Sequence, residues 1–323
     1  MADTLQTGID ILRSGTALVT GGGGFVGRNL IQRLLDQGVD VTVLARNVGP
    51  RLSGLEKKIR LVQCELEDAD GLMEALRRFR FVTVFHLAAA VRPTLTNATI
   101  INANVLGTAN LLAAVQDHPL KQFVLVGSGF EYGAGGGLQE QAPLRPNNIY
   151  GATKAAAHLI AHVYRRNRGL PIISMRPFTP YGPWEASWRL VPFTICRGLD
   201  QADIPLTEGR QQRDYVYVGD VAEALIRAIA LPGNDDVEAI NICSGRPTTI
   251  KAIVTEILRT VGGTGKAHFG ALPYRDGEMW LQSGDPAQAR ELLGWTASTG
   301  LSDGLQQTIE WIKDNRRLVE TLV

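Results

Sequence analysis

Cysteine is scarce in this chain. There are three in 323 residues, Cys64, Cys196 and Cys243, and no C-x-x-C pair. A disulfide framework is excluded, and the expectation is reduced, mostly buried thiols in a cytoplasmic protein. An excess of either charge is lacking too. Lys and Arg number 33 against 32 Asp and Glu, a net charge of +1. Nothing therefore calls for nucleic acid or an anionic membrane surface as a partner. No apolar run is read as approaching the roughly 18–20 residues of a membrane span. Residues 1–15 carry Asp3 and Asp10, with neither a basic start nor a long apolar stretch, and do not read as a secretory signal. Internal repeats are absent. Histidine is sparse, and the pair His158 and His162 has no third ligand in view, so no metal site is expected.

Glycine is abundant, and its placement is informative. Thr20-Gly21-Gly22-Gly23-Gly24-Phe25-Val26-Gly27 follows the apolar Ala17-Leu18-Val19 and precedes a helical pattern over 29–35. Strand, glycine turn and helix form the context of a dinucleotide-binding fingerprint. Gly21 permits the tight turn, Gly24 a close approach to pyrophosphate, and Gly27 close packing of helix on strand. The anion would rest on free N–H groups at the positive end of the helix.

The first half alternates strand and helix signals. Further strands are predicted at 39–43, 59–62, 82–87, 123–126 and 172–175, and helices at 28–37, 69–79, 99–116 and 150–167. This order predicts an α/β fold, a Rossmann-type doubly wound parallel sheet with helices on both faces. Beyond Arg176 the texture changes. Pro177, Pro180, Pro183 and Pro192 mix with Phe178, Tyr181, Trp184 and Trp188, and an amphipathic helix closes the chain near 305–317. The expectation is a dinucleotide-binding domain over 1–176, rejoined by about 213–243, and a smaller C-terminal α/β substrate lobe over 177–323. The glycine run 133–137 reads as a flexible rim loop, because no helix start follows it. Trp184 and Trp188 suit either stacking on a nucleotide or packing within the lobe.

Tyr150 and Lys154 are four apart on a predicted helix and share a face. An ammonium beside a phenol lowers the phenol's pKa, giving an acid or base usable near neutral pH. Ser128 follows the fifth strand and falls at the carboxyl edge, where such sheets bind ligands.

Together the motifs resemble those of the extended short-chain dehydrogenase/reductases that act on nucleotide sugars. The glycine run is similar to that family's T-G-G-x-G-F-[IV]-G, and His86-Leu87-Ala88-Ala89 to its H-L-A-A. Asn104-Val105-Leu106-Gly107-Thr108 resembles N-V-x-G-T. Gly127-Ser128 with Tyr132-Gly133 resembles S-S-x-x-x-Y-G, and Tyr150-Gly151-Ala152-Thr153-Lys154 resembles Y-x-x-[ST]-K. Arg176 to Pro183 is similar to R-x-x-N-x-Y-G-P, and Arg213 to Val221 to R-D-[FY]-[IV]-x-V-x-D-V.

The resemblance implies catalytic roles for Ser128, Tyr150 and Lys154. It implies cofactor contacts at Gly21, Gly24, Phe25, Val26, Arg46, Glu65, Leu66, Leu87, Ala88, Ala89, Asn104, Tyr150, Lys154 and Pro177. Substrate contacts fall to Ser128, Thr179, Arg213 and Arg275, the two arginines gripping a nucleotide diphosphate. It also implies a homodimer through the helices of Asn104 and Tyr150, where Ala155-Ala156-Ala157 and Leu159-Ile160 suit close packing.

Three departures refine this. Members that prefer NAD carry Asp at the end of strand two. Here Ala45 and Arg46 stand there, which favours NADP(H), with NAD(H) possible if Arg46 only stacks on adenine. Thr179 replaces the usual substrate-contacting Asn, and Glu65 an Asp near adenine. The Thr-Asp-Glu run of sugar dehydratases is replaced by Ser128-Gly129-Phe130-Glu131, which argues against water elimination. The expected activity is reduction of a nucleotide-diphosphate 4-keto-6-deoxy sugar at C4 with Tyr150 as proton donor. The alternative is a nucleotide-sugar 4-epimerase with tightly bound NAD. A non-catalytic cofactor sensor is disfavoured by the Tyr–Lys pair, and a small non-nucleotide carbonyl substrate by the two arginines.

Overall fold

Apolar and β-branched runs become the strands Thr16–Thr20 (β1), Asp40–Ala45 (β2), Arg60–Gln63 (β3), Phe81–His86 (β4) and Gln122–Val126 (β5). They are followed by Gly135–Leu138 (β6), Ile172–Pro177 (β7) and Thr179–Tyr181 (β8). The structure, a computed structural model, describes residues 3–92, 94–232, 237–262 and 265–322. Seven strands form one parallel sheet in the order Ala239–Ile242, β7, β5, β4, β1, β2, β3. Successive strands step outward from β1 in both directions. The crevice at the carboxyl ends of β1 and β4 is therefore the topological switch point, where such sheets take ligands. The expected Rossmann-type doubly wound sheet is present, and each predicted strand lies on an observed one.

The helices are Thr4–Arg13 (α1), Phe25–Asp36 (α2), Ala69–Leu76 (α3), Asn97–Ile101 (α4), Gly107–Val115 (α5) and Ile149–Arg168 (α6). One apolar layer joins α1, α2 and the later helix Val218–Arg227 to one face of the sheet, through Ile9, Leu12, Leu30, Ile31, Val221 and Leu225. The other layer joins α3, α5 and α6 through Leu72, Leu76, Leu111, Leu112 and Ala161. A separate core under the C-terminal half centres on Ile195, Ile253, Ile257, Leu305 and Ile309.

Three readings are corrected. The 133–137 run is not a loop throughout: β6 pairs in parallel with Leu281–Gly284, and Gly137 N–H donates to Ser283 Oγ at 3.1 Å. A Cβ on Gly136 would lie 2.8 Å from Leu281 Cδ2, so any larger residue there would have to displace the end of that leucine side chain. Second, the stretch Asn97–Val115 is 19 residues long and apolar enough to cross a membrane by length and composition. Its polar side chains are engaged inside the fold: Asn104 and Thr108 are buried, and Asn110 donates to the Leu66 carbonyl. Only 39% of its apolar window is buried, so it packs on the fold through residues such as Leu111, Leu112 and Val115 and leaves others open. Third, this stretch is not one regular helix, because a π turn over Asn102–Leu106 separates α4 from α5.

Candidate active site

Many of the residues assigned to cofactor and catalysis follow six parallel strands at one edge of the sheet. Gly21 follows β1, Arg46 follows β2, and Glu65 and Leu66 follow β3. Leu87, Ala88 and Ala89 follow β4, Ser128 lies two residues beyond β5, and Pro177 ends β7.

The glycine turn is shaped by close contacts. Gly21 has φ +71°, and a Cβ there would lie 2.5 Å from the Ala88 nitrogen. A Cβ on Gly27 would lie 2.3 Å from the Gly21 carbonyl oxygen. Gly24 is the N-cap of α2 and offers no capping side chain, which leaves the first N–H groups of a 12-residue helix for an anion. A side chain would fill this cradle, and a dinucleotide pyrophosphate fits it.

Asn104 sits within the π turn, a local geometry common at functional sites. Its Oδ1 accepts from Ala90 N–H at 2.6 Å, and its Nδ2 donates to the Ala90 carbonyl at 3.1 Å and to Thr153 Oγ1 at 2.9 Å. The carboxamide thus ties the segment after β4 to α6. His86 continues the tie, with Nδ1 at 2.6 Å from Thr20 Oγ1 and Nε2 at 2.8 Å from Thr108 Oγ1. Burial, with Lys154 nearby, pushes His86 down to about 3, so the imidazole is neutral.

Helix α6 starts at an Asn148 cap that accepts Gly151 N–H at 2.8 Å. A Cβ on Gly151 would meet the Phe130 carbonyl oxygen at 2.4 Å. That close approach sets Tyr150 against the Ser128 turn, with the ring edge-on to Phe130 at 6.2 Å and the Ser128 hydroxyl near enough to lower the phenol's pKa. Lys154 Nζ is buried and donates to the Val126 carbonyl at 2.7 Å.

The electrostatics differ from the sequence expectation. Burial pushes Tyr150 up to about 12, against lowering by the Ser128 hydrogen bond and the Arg189 charge. Lys154 does not depress the phenol; its ammonium points back to β5, and burial lowers Lys154 itself to about 8. Sharing a helix face brought the two together without making them a pair.

The predicted substrate residues divide. Thr179 begins β8, which pairs with the strand Gln212–Tyr217 through Tyr215, and its buried Oγ1 has no hydrogen-bond partner. Arg213, on that same strand, donates to the carbonyls of Gln212 at 2.9 Å and Met279 at 2.6 Å, and pairs with Glu278 at 3.3 Å. Arg275 is exposed on the segment that carries Glu278 and Met279. Arg46 is exposed, and no hydrogen bond or ion pair within the described residues engages it. Trp184 packs on Trp311, ring centres 5.1 Å apart, with the Arg28 guanidinium 4.6 Å from its centre; Trp188 is exposed. His162 faces Glu238 at 2.9 Å, while His158 is buried.

Sequence reasoning missed Arg189 and Glu185. They lie in the irregular stretch after β8, where no periodicity marks them. Arg189 Nε approaches Glu185 Oε1 at 3.4 Å, while buried Glu185 Oε2 has no partner. Burial pushes the Glu185 carboxyl up to about 7 from an ordinary 4.5, against lowering by Arg189. An unfolded chain ionises Glu185 first, so this group removes stability as pH rises from about 4.5 to about 7. Glu185→Gln is expected to raise unfolding free energy by roughly 2–3 kcal/mol at pH 8 and to give no gain at pH 4, measured by urea denaturation at both pH values.

A parallel sheet with a glycine turn at its switch point, and Ser128, Tyr150 and Lys154 along its carboxyl edge, defines an extended short-chain dehydrogenase/reductase. Comparison with known proteins gives the family. Residues 17–243 match the model of the NAD dependent epimerase/dehydratase family, and the chain belongs to it. A dTDP-glucose 4,6-dehydratase from Streptomyces niveus is 29% identical, over 94% of this chain and 95% of its own length. A putative UDP-glucose 4-epimerase from Methanocaldococcus jannaschii is 30% identical, over 93% and 99%. Among solved structures, a Thermotoga maritima UDP-glucose 4-epimerase with UDP-glucose superposes with a TM-score of 0.85 at 26% identity, over 93% of this chain and 99% of that one. A Streptomyces venezuelae dTDP-glucose 4,6-dehydratase with NAD bound gives 0.85 at 26% identity, over 95% and 100%.

Proposed function

We propose that this protein reduces the C4 carbonyl of a nucleotide-diphosphate 4-keto-6-deoxy sugar and prefers NADPH. The observation that carries this reading is the placement of Tyr150: a phenol packed edge-on to Phe130 of the Ser128 turn, at the ligand-binding edge of the sheet. A protonated phenol is a ready proton donor to a developing alkoxide. Dehydration is disfavoured, because both oxygens of the buried Glu131 carboxylate are engaged, by the Ser128 N–H and by Arg176 Nε, which leaves no free carboxylate to take a proton from a sugar.

When bound, the nicotinamide supplies the hydride; the glycine turn, Ala88 and Lys154 would hold the cofactor. Ser128 holds the carbonyl oxygen by its hydroxyl, and Tyr150 gives that oxygen its proton. The Lys154 ammonium, held on the Val126 carbonyl, adds its charge to the cofactor's place while protonated. The assay is consumption of NADPH and of NADH by purified protein with GDP-, dTDP-, CDP- and UDP-linked 4-keto-6-deoxy sugars. Turnover with one nucleotide series, faster with NADPH, is expected. At the end of β2, Ala45 and Arg46 present a guanidinium and no carboxylate to a ribose 2′-phosphate. Arg46→Ala is expected to raise KM for NADPH roughly 10–100-fold and to leave KM for NADH nearly unchanged.

A second reading, a 4-epimerase that retains NAD, is favoured by the relatives that are UDP-glucose 4-epimerases. No net NAD(P)H consumption, with NAD co-purifying, would select it.

A homodimer is part of the proposal. Ile101 just before the π turn, Leu106 at its end, and Leu159 and Val163 on α6 are 42–60% exposed on neighbouring helices. Such an apolar cluster suits a helix-to-helix interface. Leu159→Glu with Val163→Glu is expected to give a monomer by light scattering, against a dimeric parent.

A further inference from the structure

We infer that Glu131 is a positioning residue for this site: its carboxylate fixes the Ser128 turn and supplies the negative charge that offsets the buried Lys154 ammonium. Oε1 accepts the Ser128 N–H at 2.8 Å, and Oε2 accepts from Arg176 Nε at 2.8 Å. The Ser128 hydroxyl in turn accepts Phe130 N–H at 3.2 Å, so serine and glutamate cap the turn Gly129–Glu131 reciprocally. Glu131 has no solvent exposure and Arg176 only 2%. The backbone makes room for the carboxylate: a Cβ on Gly127 would lie 2.2 Å from Glu131 Oε1.

This arrangement gives the acid that closes the run Ser128-Gly129-Phe130-Glu131 a role. The acid stands one position beyond the dehydratase pattern because it serves the turn from beneath. A carboxylate buried among apolar strands is disfavoured unless it is paired and fully hydrogen-bonded, and here both oxygens are. Its charge also reaches the catalytic groups. Burial lowers Lys154 to about 8, and Glu131 is the charge that opposes this. Lys154 Nζ donates to the Val126 carbonyl at 2.7 Å, two residues before the Ser128 N–H that holds Glu131 Oε1, and neutral His86 lies near it from β4. Beyond Glu131 lie Arg176 from β7 and the Tyr132 phenol, which accepts from Arg176 Nη1 at 2.7 Å.

The inference rests on the reading of Ser128, Tyr150 and Lys154 as one site, and its first readout needs no substrate. Lys154 is titrated by 15N NMR of the side-chain amine in the full-length parent, in Glu131→Gln and in Glu131→Asp. Glu131→Gln is expected to move the Lys154 titration down by about one pH unit or more, with Glu131→Asp between it and the parent. The alkaline limb of kcat/KM should move by the same amount in any assay that shows turnover. Should Glu131→Gln fail to fold with Arg176 stranded, Glu131→Gln with Arg176→Gln removes both charges, and Lys154 is still expected to titrate low. A Lys154 titration equal to the parent's in any folded variant lacking the Glu131 charge overturns the inference. Absence of turnover in the parent, with Lys154 still shifted in the variant, overturns the activity reading alone.

Discussion

Tyr150→Phe is expected to lower kcat for carbonyl reduction by about 10²–10⁴-fold, the usual range for a lost general acid, with KM for the sugar within a few-fold of the parent. The substitution removes one hydroxyl from a half-buried ring and leaves the edge-on contact with Phe130, at 6.2 Å, in place. Neither neighbour can take over the proton. Ser128 is a far weaker acid, and the Lys154 ammonium is turned to the Val126 carbonyl at 2.7 Å. The pH profile supplies an independent check. Tyr150, raised to about 12, stays protonated across the working range, whereas Lys154 loses its charge through about 8. Parental kcat should therefore fall as pH rises past about 8, and the residual rate of the variant should keep this Lys154 limb. Steady-state kinetics from pH 6 to 10, with circular dichroism to confirm folding, reads both. A drop below tenfold would remove Tyr150 from the proton-donor role.

Asp214→Ala should destabilise the protein by about 3–5 kcal/mol, as loss of a buried, fully bonded charge does. Asp214 has no solvent exposure. One oxygen accepts Ser244 N–H at 2.8 Å and Ser244 Oγ at 2.6 Å; the other accepts Gly245 N–H at 2.9 Å and Gly284 N–H at 3.3 Å. Alanine strands all four donors, each at a penalty of about 1–3 kcal/mol before the surroundings relax. Asp214→Asn keeps an acceptor and should recover part of the loss. Urea denaturation of the three proteins measures this, and equal midpoints would show that the cluster contributes nothing. Asp220 fastens the same region differently, accepting Thr299 N–H at 2.9 Å and Ser298 Oγ at 3.1 Å. Both acids of the R-D-x-x-x-V-x-D motif are thus architectural in this fold.

Much of the sheet was legible because its strands are buried on both faces and read as continuous apolar runs between glycine turns. Strand β6 was not, since nothing in Gly-Gly-Gly-Leu signals extension; its partner Leu281–Gly284 lies some 145 residues away in the chain. Helix α1 went unread as well. Its apolar side is narrow, and Gly8 looks like a breaker until the fold shows the Ile226 carbonyl oxygen 2.4 Å from where a Cβ would sit. At the site, Tyr150 and Lys154 were legible from local spacing, and Ser128 from its place after an apolar strand. The charges that tune them were not. Glu131 meets Arg176 across 45 positions, and Arg189 acts on Tyr150 from a stretch without periodicity. Only tertiary packing decides where a long guanidinium ends. For the same reason the bond from Arg213 to the Met279 carbonyl was not legible in its motif.

The layer beside α1 and α2 has a consequence for synthesis. Ile9, Leu12, Leu30 and Ile31 from the first tenth of the chain pack with Val221, Leu225, Ile240 and Trp295. Arg227 joins the two ends directly, bonding Thr4 Oγ1 at 3.0 Å and the Leu293 carbonyl at 3.3 Å. While the chain emerges from the ribosome, the first strands and helices can form early but keep an uncovered greasy flank for most of translation. Only when the last third arrives is that flank closed. A nascent chain stalled near residue 200 should therefore bind holdase chaperones far more strongly than one released at full length.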